Sequence, residues 1–473
     1  MLGFVIIYTI KSAKAQKSIR RMYDSIKITK GLDLPLGGEA ERRCTDACYI
    51  DTYAMKPTDF VGLVPRLMVS EGDSVEAGQP LVSDKNDPRL TLPSPVSGIV
   101  KAIVRGEKRR LEAVVVERSK KEELRTKKEC TEILNSQFSI LNSPCWWMIK
   151  ERPFGTIANP DHKPKGIYVS LRDTYPLAPD MDFVLKSREQ EFEAGIKALG
   201  SFAEVHCVKA YGPHPAGNVG TIIAALDPIN KGEYVWTVNA QDVANIGHWC
   251  LTGKYRPERV IAVAGPAARN PHYYRVRCGV CLESIIKGQL MSPEYPGISS
   301  SSRTSDTRII SGDVLCGEAI AHDGFLGAYN SLVTLLPEGN HYDFMGWLMP
   351  GLKKYSFSRT FLSGFMRLMS KMRVVDGEKA FTNVCPYKFD TNIHGSVRPL
   401  VFTGNFEQVF PFDIYPLQLI KACIIGDVEM QEKLGIYEVE PEDFALCEFI
   451  DTSKTEIQSI IREALEKLRK EGI

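Results

Sequence analysis

The sequence has no glycine-rich loop of the kind that binds nucleotide phosphates. Its 37 glycines form neither the G-x-G-x-x-G dinucleotide fingerprint nor the G-x-x-x-x-G-K-[ST] phosphate loop. Both loops let backbone N–H groups approach phosphates at the start of a helix. A serine nucleophile elbow and a recognisable pair of catalytic carboxylates are missing too. The residues alone therefore favour a large scaffold or binding protein over a free-standing NAD(P)-dependent enzyme.

The chain also lacks an excess of charge and a long apolar run. Its 59 Lys and Arg residues are balanced by 58 Asp and Glu residues, which gives no reason to expect a nucleic-acid partner. The longest apolar run, Leu2–Ile10, is too short to span a bilayer. We expect residues 1–21 to be a start-site extension or disordered tail, with a signal peptide as the less favoured alternative. The protein is expected to be soluble by itself.

The 12 cysteines lack the spacing of a metal site. Zinc and iron–sulfur centres take four ligands, usually from two close pairs. Only Cys278-x-x-Cys281 has pair spacing here, Cys44-x-x-x-Cys48 is the next closest, and the eight histidines form no pair at ligand spacing. We therefore predict no metal site and mostly buried, reduced thiols. The role of Cys278 and Cys281 stays open.

The N-terminal part carries a repeated β-hairpin pattern. Val69–Val82 and Leu92–Val100 each place turn residues between strand-forming residues, which favours two intertwined sheets. The pattern resembles the biotinyl/lipoyl domain, a barrel-sandwich hybrid whose hairpin usually carries a modified lysine. Asp84-Lys85 resembles that lysine turn, but Asn86–Arg89 lengthens the tip and includes a proline. We expect Lys85 to be an ordinary exposed lysine; a carrier modified at Lys85 is the alternative.

The chain is predicted to be an α/β protein of several domains. Strands alternate with helices such as Glu189–Leu199 and one that starts after Asn239, which is typical of βαβ units in an open sheet. Val260–Ala264 is expected to be the fourth strand of this sheet. Near the C-terminus, Ser453–Glu456 has capping-box spacing, and an apolar stripe at helical spacing follows that we expect to face the core.

The predicted domain boundaries follow these patterns. They are an N-terminal extension (1–25), a barrel-sandwich hybrid domain (26–119), a linker (120–165), a Rossmann-like α/β domain (166–290), a small β-rich, β-grasp-like module (291–350) and a mainly helical C-terminal domain (351–473).

A set of motifs in this order resembles one protein family. They are Lys30–Pro35, Glu71–Asp73, Gly106–Arg109, Gly212–Gly217, Val235–Val238, Gln241–Val243, Glu258–Pro266, Gly346–Gly351, Ser358–Leu362 and Glu442–Cys447. From about Ile26 to Gly472 the chain is similar to the A subunit of the Na+-translocating NADH:quinone reductase. This family is similar in layout to the flavin- and NADH-binding subunit of respiratory complex I and to the C subunit of the Rnf complex.

The resemblance implies that the redox sites of those relatives are lost here. Where the relatives carry a glycine-rich flavin loop, Glu151–Pro160 has one glycine and two prolines. Where Rnf relatives carry a cysteine-rich cluster, Ala445–Ser453 keeps a single cysteine. We therefore expect no catalytic residue, cofactor or metal on this chain. NADH, flavins and iron–sulfur groups would belong to other subunits.

The implied function is that of a peripheral subunit on the cytoplasmic side of the bacterial inner membrane. The complex would oxidise NADH, reduce ubiquinone and export Na+, with other subunits of the complex as the partners through which this chain contacts the membrane. The family has been associated with quinone, including the step from ubisemiquinone to ubiquinol. A C-subunit-like component of an Rnf-type electron-transport complex is the remaining alternative.

The loop Gly212–Gly220 is the candidate quinone site. Two prolines remove N–H donors from it, so it is a poor phosphate cradle but a stiff loop. It follows a predicted strand, and ligands of open α/β sheets bind at the carboxyl ends of strands. His214 beside apolar residues would suit a ring with polar carbonyls, so the candidates are Gly212, His214 and Gly217. A loop that only packs against its neighbours is the open alternative.

Overall fold

The computed structural model describes residues 24–47, 50–119, 140–290, 307–341, 345–346, 348–359, 361–363 and 387–472. The expected extension at residues 1–21 and Cys48 of the second cysteine pair lie outside them. The described strands are β1 (Asp24–Lys27), β2 (Glu41–Asp46), β3 (Thr52–Met55), β4 (Pro65–Leu67), β5 (Ser74–Val75), β6 (Pro80–Asp84), β7 (Thr91–Pro93), β8 (Gly98–Arg105), β9 (Leu111–Arg118), β10 (Ile149–Arg152), β11 (Thr156–Ile157), β12 (Ile167–Ser170), β13 (Val205–Tyr211), β14 (Val235–Val238), β15 (Glu258–Ala264), β16 (His272–Arg277), β17 (Thr307–Ser311), β18 (Glu318–Ile320) and β19 (Leu332–Pro337).

The described α-helices are concentrated in the middle and at the end of the chain. They are α1 (Met181–Leu185), α2 (Glu189–Leu199), α3 (Val219–Leu226), α4 (Ala240–Thr252), α5 (Glu283–Gln289), α6 (Phe406–Val409), α7 (Pro416–Ile425), α8 (Val428–Lys433), α9 (Ala445–Ile450) and α10 (Ile457–Glu471). In the described residues, no helix combines the length and the apolar character needed to cross a membrane.

The predicted pair of intertwined sheets is present between residues 52 and 118. One sheet has the order β3-β9-β8-β5 and the other the order β4-β6-β7. Turns at Glu71–Gly72 and Ala77–Gly78 separate their short strands, as the sequence pattern indicates. Side chains such as Leu81, Leu92 and Val116 fill the space between the sheets and are fully buried.

The α/β sheet has the order β1-β13-β12-β14-β10-β11. Its first four strands run parallel, and β10 and β11 form an antiparallel edge. The chain visits β12, then β13 on one side, then β14 on the other, so its direction along the sheet reverses beside β12. In open α/β sheets a ligand crevice forms at such a reversal, outside the carboxyl ends of the strands.

Two strands, β1 and β15, lie in sheets other than the expected ones. Ile26 and its neighbours in β1 pair with β13 of the α/β sheet, although the barrel domain was expected to begin there. Val260–Ala264 in β15 was expected to be the fourth strand of the α/β sheet and instead pairs with β16 and β19. Local patterns specify that a segment is a strand but not its partners, which are set by long-range packing. The expected linker contains two strands that the sequence pattern did not indicate, β10 and β11, which pair with each other.

The second six-stranded sheet has the order β18-β17-β19-β15-β16-β2. The strands at 307–337, expected as a small separate module, are therefore half of a larger sheet. Its centre is the parallel pair β15 and β19. The side chains of β15 from Ile261 to Ala264 are completely buried. The β-grasp arrangement expected for residues 291–350 stays a prediction.

The C-terminal helices pack around their own apolar cluster, which includes Phe410, Phe444 and Leu468. The stripe on α10 faces this core, as predicted. The capping-box prediction at Ser453–Glu456 was wrong, because α10 begins only at Ile457. The side chain of Asp451 instead accepts hydrogen bonds from the Ser453 and Thr455 N–H groups, and Glu448 accepts one from Gln458 N.

Candidate functional site

A cavity of about 310 Å³ lies at the carboxyl ends of the parallel strands. Ser170 ends β12, Val238 ends β14, and the loop after β13 supplies His214. The second sheet and the C-terminal region close the other sides. The lining residues are Met148, Lys150, Ser170, Asp173, Tyr175, His214, Gly217, Asn218, Val219, Thr237, Val238, Asn239, Gly312, Asp313, Cys316, Gly317, Tyr329, Asn330, Ser331, Leu332, Glu440 and Glu442.

Backbone groups of the loop between β13 and α3 form hydrogen bonds to other segments on two sides. The N–H of His214 donates to Asp33 Oδ1 (2.9 Å), and its carbonyl accepts from Leu32 N (2.7 Å). On the other side, Gly217 N donates to Thr174 Oγ1 (2.8 Å). A Cβ atom at Gly217 would lie 2.2 Å from the carbonyl oxygen of Arg172, so only glycine fits there. The stiffness expected of the loop therefore comes largely from its packing.

His214 is buried with one ring nitrogen unused. Nδ1 lies 3.4 Å from Thr174 Oγ1, whereas Nε2 is buried without a partner among the described residues. Burial lowers the pKa of His214 to about 4, so the ring is neutral near pH 7. Thr174 already accepts from Gly217 N, and its hydroxyl proton is available to Nδ1. When the Thr174 hydroxyl donates to Nδ1, the ring proton is on Nε2, and Nε2 is then a hydrogen-bond donor.

Two carboxyl groups of the cavity are shifted toward their neutral forms. Burial raises the pKa of Asp173 to about 7, partly offset by the Tyr175 hydroxyl, which lies 3.4 Å from Oδ2. Burial also raises the pKa of Asp313, although its Oδ1 accepts from Leu315 N and Cys316 N. Asp173 thus holds its proton close to neutral pH, which is a property of proton-transfer sites.

A cation also lines the cavity. Lys150 Nζ lies 4.0 Å from the centroid of the Tyr329 ring, a cation–π distance. The Tyr329 hydroxyl in turn donates to the carbonyl oxygen of Trp147 (2.7 Å), which fixes the ring. A bound molecule would therefore meet a positive charge as well as two acids.

Arg152 connects β10 to the C-terminal region. Its guanidinium is buried and lies 3.1 Å from Asp443, 3.3 Å from Glu440 and 3.4 Å from Glu442. Burial raises the pKa of Asp443 to about 7, while the charge of Arg152 lowers it. Glu440 and Glu442 line the cavity, so these ion pairs position part of its wall.

The sequence prediction selected part of this site. His214 and Gly217 line the cavity, but Gly212 does not and instead packs with its Cα near the Ile28 carbonyl. Asp173, Asp313 and Lys150 were missed. Asp173 follows the end of β12 much as Gly212 follows β13, so the rule about carboxyl ends of strands could have found it.

Two segments were expected to have lost redox groups, Glu151–Pro160 and Ala445–Ser453. The first contains β11 and the second contains α9. Within Glu151–Pro160, β10 turns into β11 with Gly155 N donating to Glu151 O (2.9 Å). Cys278 and Cys281 are free thiols, and burial raises the pKa of Cys278 to about 11. Across the described parts of the chain, no group of three or more His, Cys, Asp or Glu side chains is placed to hold a metal ion.

Lys85 lies at an exposed but tethered hairpin tip. Its N–H donates to the Val64 carbonyl (2.8 Å), and the neighbouring Arg89 binds Asp161 through two nitrogens (2.6 and 2.9 Å). Arg89 also pairs with Asp87 of the same tip. A carrier lysine acts from a tip that is free to move, so this tether does not favour the carrier alternative.

Three family models match the chain in order. One described as the NqrA N-terminal barrel-sandwich hybrid domain matches residues 26–119, which confirms the predicted barrel-sandwich hybrid fold. One described as the NqrA second alpha/beta domain matches residues 134–211 and 201–255, and one described as the NQRA C-terminal domain matches residues 260–321.

Similar proteins match over almost the whole chain. Relatives from Pseudomonas aeruginosa, Yersinia pestis and Haemophilus influenzae, each named as the A subunit of a Na(+)-translocating NADH-quinone reductase, are 36%, 34% and 34% identical. Each match covers 94% of this chain and 100% of the relative. Among solved structures, an NAD+-reducing [NiFe]-hydrogenase is 10% identical, with a TM-score of 0.29 over 66% of this chain and 55% of that one.

Proposed function

Because the chain belongs to the family formed by the A subunit of the Na(+)-translocating NADH-quinone reductase, we propose that it is the peripheral, cytoplasm-facing subunit of such a complex at the bacterial inner membrane. The complex couples NADH oxidation to quinone reduction and Na+ export. In this assignment the partners are the membrane and flavin-bearing subunits, and NADH, flavins and iron–sulfur groups are held by them.

The proposed role within the complex is that of a scaffold. The way in which the N-terminal segment is built into both large sheets supports this role. β1 pairs with β13 in the α/β sheet, and β2, which is separated from the end of β1 by residues 28–40, pairs with β16 in the second sheet. One short segment thus links the three sheet-bearing parts of the chain, which gives partner subunits a connected surface to assemble on.

The proposed ligand of the chain is ubiquinone, and the cavity beside His214 is its proposed site. The observation that carries this proposal is that His214 lines the cavity while its Nε2 is buried with no partner among the described residues. A buried donor without a partner is costly, and a quinone carbonyl would satisfy it. Reduction of a semiquinone anion to the quinol takes one electron, which the complex would supply from NADH, and two protons, one of which Asp173 would donate because it holds a proton close to neutral pH.

The proposal is tested by replacing His214 and measuring quinone affinity. His214→Ala should weaken ubiquinone binding to the purified chain about tenfold, the loss of roughly 1.4 kcal/mol expected for one hydrogen bond in an apolar site. His214→Gln, which keeps an N–H donor, should recover part of the affinity. His248→Ala is the matched control, because His248 lies on α4 and binds Glu191 Oε1 (2.8 Å) outside the cavity.

Three results would separate the possibilities. Equal affinity of the wild type and the folded His214→Ala variant would remove His214 from the site and leave the loop as packing. Equal losses in the His214 and His248 variants would indicate a general destabilisation. Unchanged quinone reduction by the assembled complex carrying His214→Ala would show that the quinone acts elsewhere, with the scaffold role unaffected.

A further inference from the structure

Large apolar side chains are exposed together on one part of the surface. Residues 345–363 and 387–393, as far as the structure describes them, form what we call the apolar–basic surface. Six of its aliphatic side chains have 41% to 64% of their area exposed, namely Met345, Leu348, Met349, Leu352, Leu362 and Ile393. Single exposed apolar residues are ordinary, but a group of this size marks an interaction surface.

The two segments form one surface because they are bonded to each other. Lys388 N donates to the carbonyl of Lys353 (2.8 Å), and Leu362 N donates to that of Pro350 (2.9 Å). The ring of Tyr355 packs against those of Tyr387 and Phe389, with centroids 5.3 and 5.5 Å apart. These aromatic rings hold the segments together from within, while the aliphatic side chains remain outside.

The charge of this surface is strongly positive. It carries four cations, Lys353, Lys354, Arg359 and Lys388, against one acid, Asp390. The Asp390 side chain is only 6% exposed and lies 3.9 Å from His341 Nε2, so it offsets little of the exposed charge. The whole chain has a net charge of +1, which makes this concentration of cations a local feature.

We propose that the apolar–basic surface lies directly on an anionic lipid bilayer. Aliphatic side chains flanked by cations are the combination that binds the headgroup region, because the chains bury in the interface while lysines attract anionic lipids. A protein interface is less well matched, since lysine is depleted there and three of the four cations are lysines. The contact would orient the protein beneath its membrane partners and does not depend on quinone binding.

The test is vesicle sedimentation with the full-length chain and no other subunit. Vesicles of phosphatidylcholine alone are compared with vesicles that contain about 30% phosphatidylglycerol, a composition that gives the bilayer a negative surface potential. We expect binding to be at least about tenfold stronger to the anionic vesicles at low salt, and to be lost near about 0.5 M salt because the charges are screened.

Two double variants separate the charge from the apolar contribution. Lys353→Glu with Lys388→Glu should remove the preference for anionic vesicles. Leu348→Ser with Leu352→Ser should weaken binding at least about fivefold while the salt dependence persists. The matched control is Ile99→Ser with Lys101→Glu, which changes one exposed aliphatic residue and one exposed cation on β8 of the barrel and should leave binding unchanged.

Several outcomes would overturn the proposal. Equal binding to neutral and anionic vesicles, or an equal loss in the control variant, would show that this surface is not the lipid contact. Binding only to membranes that contain the partner subunits, abolished by the same two double variants, would make it a protein interface instead. Because the vesicles hold no quinone, failure here leaves the quinone proposal untouched, and unchanged circular dichroism of each variant excludes misfolding.

Discussion

At His214, burial decides the protonation state of the imidazole and thereby a pH dependence of stability. Its pKa falls to about 4 in the folded chain, against about 6.5 when unfolded. Between these values the unfolded chain binds the proton and the folded chain does not. The contribution of His214 to stability is therefore present above pH 6.5 and is lost as the pH falls toward 4.

The wild type should lose about 2 kcal/mol more stability than His214→Gln when the pH falls from 7 to 5. Glutamine cannot titrate, so the difference between the two proteins isolates the imidazole from Asp173, Asp313 and other groups that titrate in both. Urea unfolding followed by circular dichroism at the two pH values measures it. Parallel losses in both proteins would mean that His214 reaches solvent in the folded state.

Arg152 is the second residue whose burial makes it sensitive to substitution. Arg152→Met should destabilise the protein by about 3–5 kcal/mol, because it leaves the buried Asp443 without its cation. Arg152→Met combined with Asp443→Asn should cost less, since no uncompensated charge remains. Urea unfolding of the two variants gives the comparison. A single variant as stable as the double variant would show that Asp443 takes up a proton once Arg152 is removed, so that no uncompensated charge remains.

The missed site residues show what a single sequence can and cannot predict about a site. His214 was found because a Gly/Pro-rich loop follows an obvious strand. The same rule about the carboxyl ends of strands could have selected Asp173, which follows β12, but Lys150 lies on β10, and nothing local indicates that β10 meets β12. Only the order of strands in the sheet brings them to one cavity, and that order depends on packing between distant segments.

At the scale of elements, α2 and α4 pack unusually closely through two glycines. A Cβ atom at Gly247 would lie 1.7 Å from the Glu191 carbonyl oxygen, and one at Gly195 would lie 2.0 Å from that of Val243. Both glycines therefore stay in helices despite their poor helix propensity. The backbones touch where side chains would otherwise keep the helices apart.

Gly247→Ala should accordingly destabilise the protein by about 1–3 kcal/mol, the cost of forcing packed helices apart. Gly288→Ala on α5 is the matched control, because no atom lies within 4 Å of the position a Cβ would take. It should be neutral or stabilising by up to about 1 kcal/mol through better helix propensity. The midpoints of thermal unfolding of the two variants test this prediction. Equal midpoints for Gly247→Ala and Gly288→Ala would contradict the close approach of α2 and α4.

The elements themselves were predictable where their signals are local. The helix Glu189–Leu199 was located residue by residue from its apolar face, and α4 starts after Asn239, as expected. The structure adds that the Asn239 side chain caps α4 by accepting from Gln241 N. The start of α10 was misplaced because Asp451 binds the Ser453 and Thr455 N–H groups in a turn before the helix. Glu448 on α9, and not a residue of the expected capping box, binds Gln458 N in the first turn of α10. The strands β1 and β15 were recognised as strands but assigned to the wrong sheets, since their partners are far away in sequence.

At the scale of the whole molecule, the purified chain should carry no coloured or covalent group. The absence of glycine cradles and cysteine quartets from the sequence predicts no flavin, haem, iron–sulfur cluster or lipoyl group. Its absorption spectrum should end at the protein band, and its intact mass should equal that of the sequence. A visible band, or a mass increment located on Lys85, would contradict this.

Attachment to membranes should depend on the partner subunits. Expressed alone, with residues 1–21 deleted, the chain should appear mostly in the soluble fraction at physiological salt, because four surface cations hold it only weakly and reversibly. Expressed with the other subunits, it should remain on washed membranes and co-purify with them in mild detergent. Finding most of the chain on washed membranes without partners would contradict this expectation.

The placement of β1 and β2 also sets the order in which the chain can fold during synthesis. β1 leaves the ribosome early, but its partner β13 ends only at Tyr211, and the partner of β2 ends at Arg277. The barrel and much of the α/β sheet are synthesised after β1 and β2 and before their partner strands. Until those partners appear, both strands have unpaired edges, and such edges favour aggregation. A fragment cut at residue 119 would keep this exposure permanently. The barrel is therefore best isolated from Ile50 onward, which leaves both strands with the parts of the chain they complete.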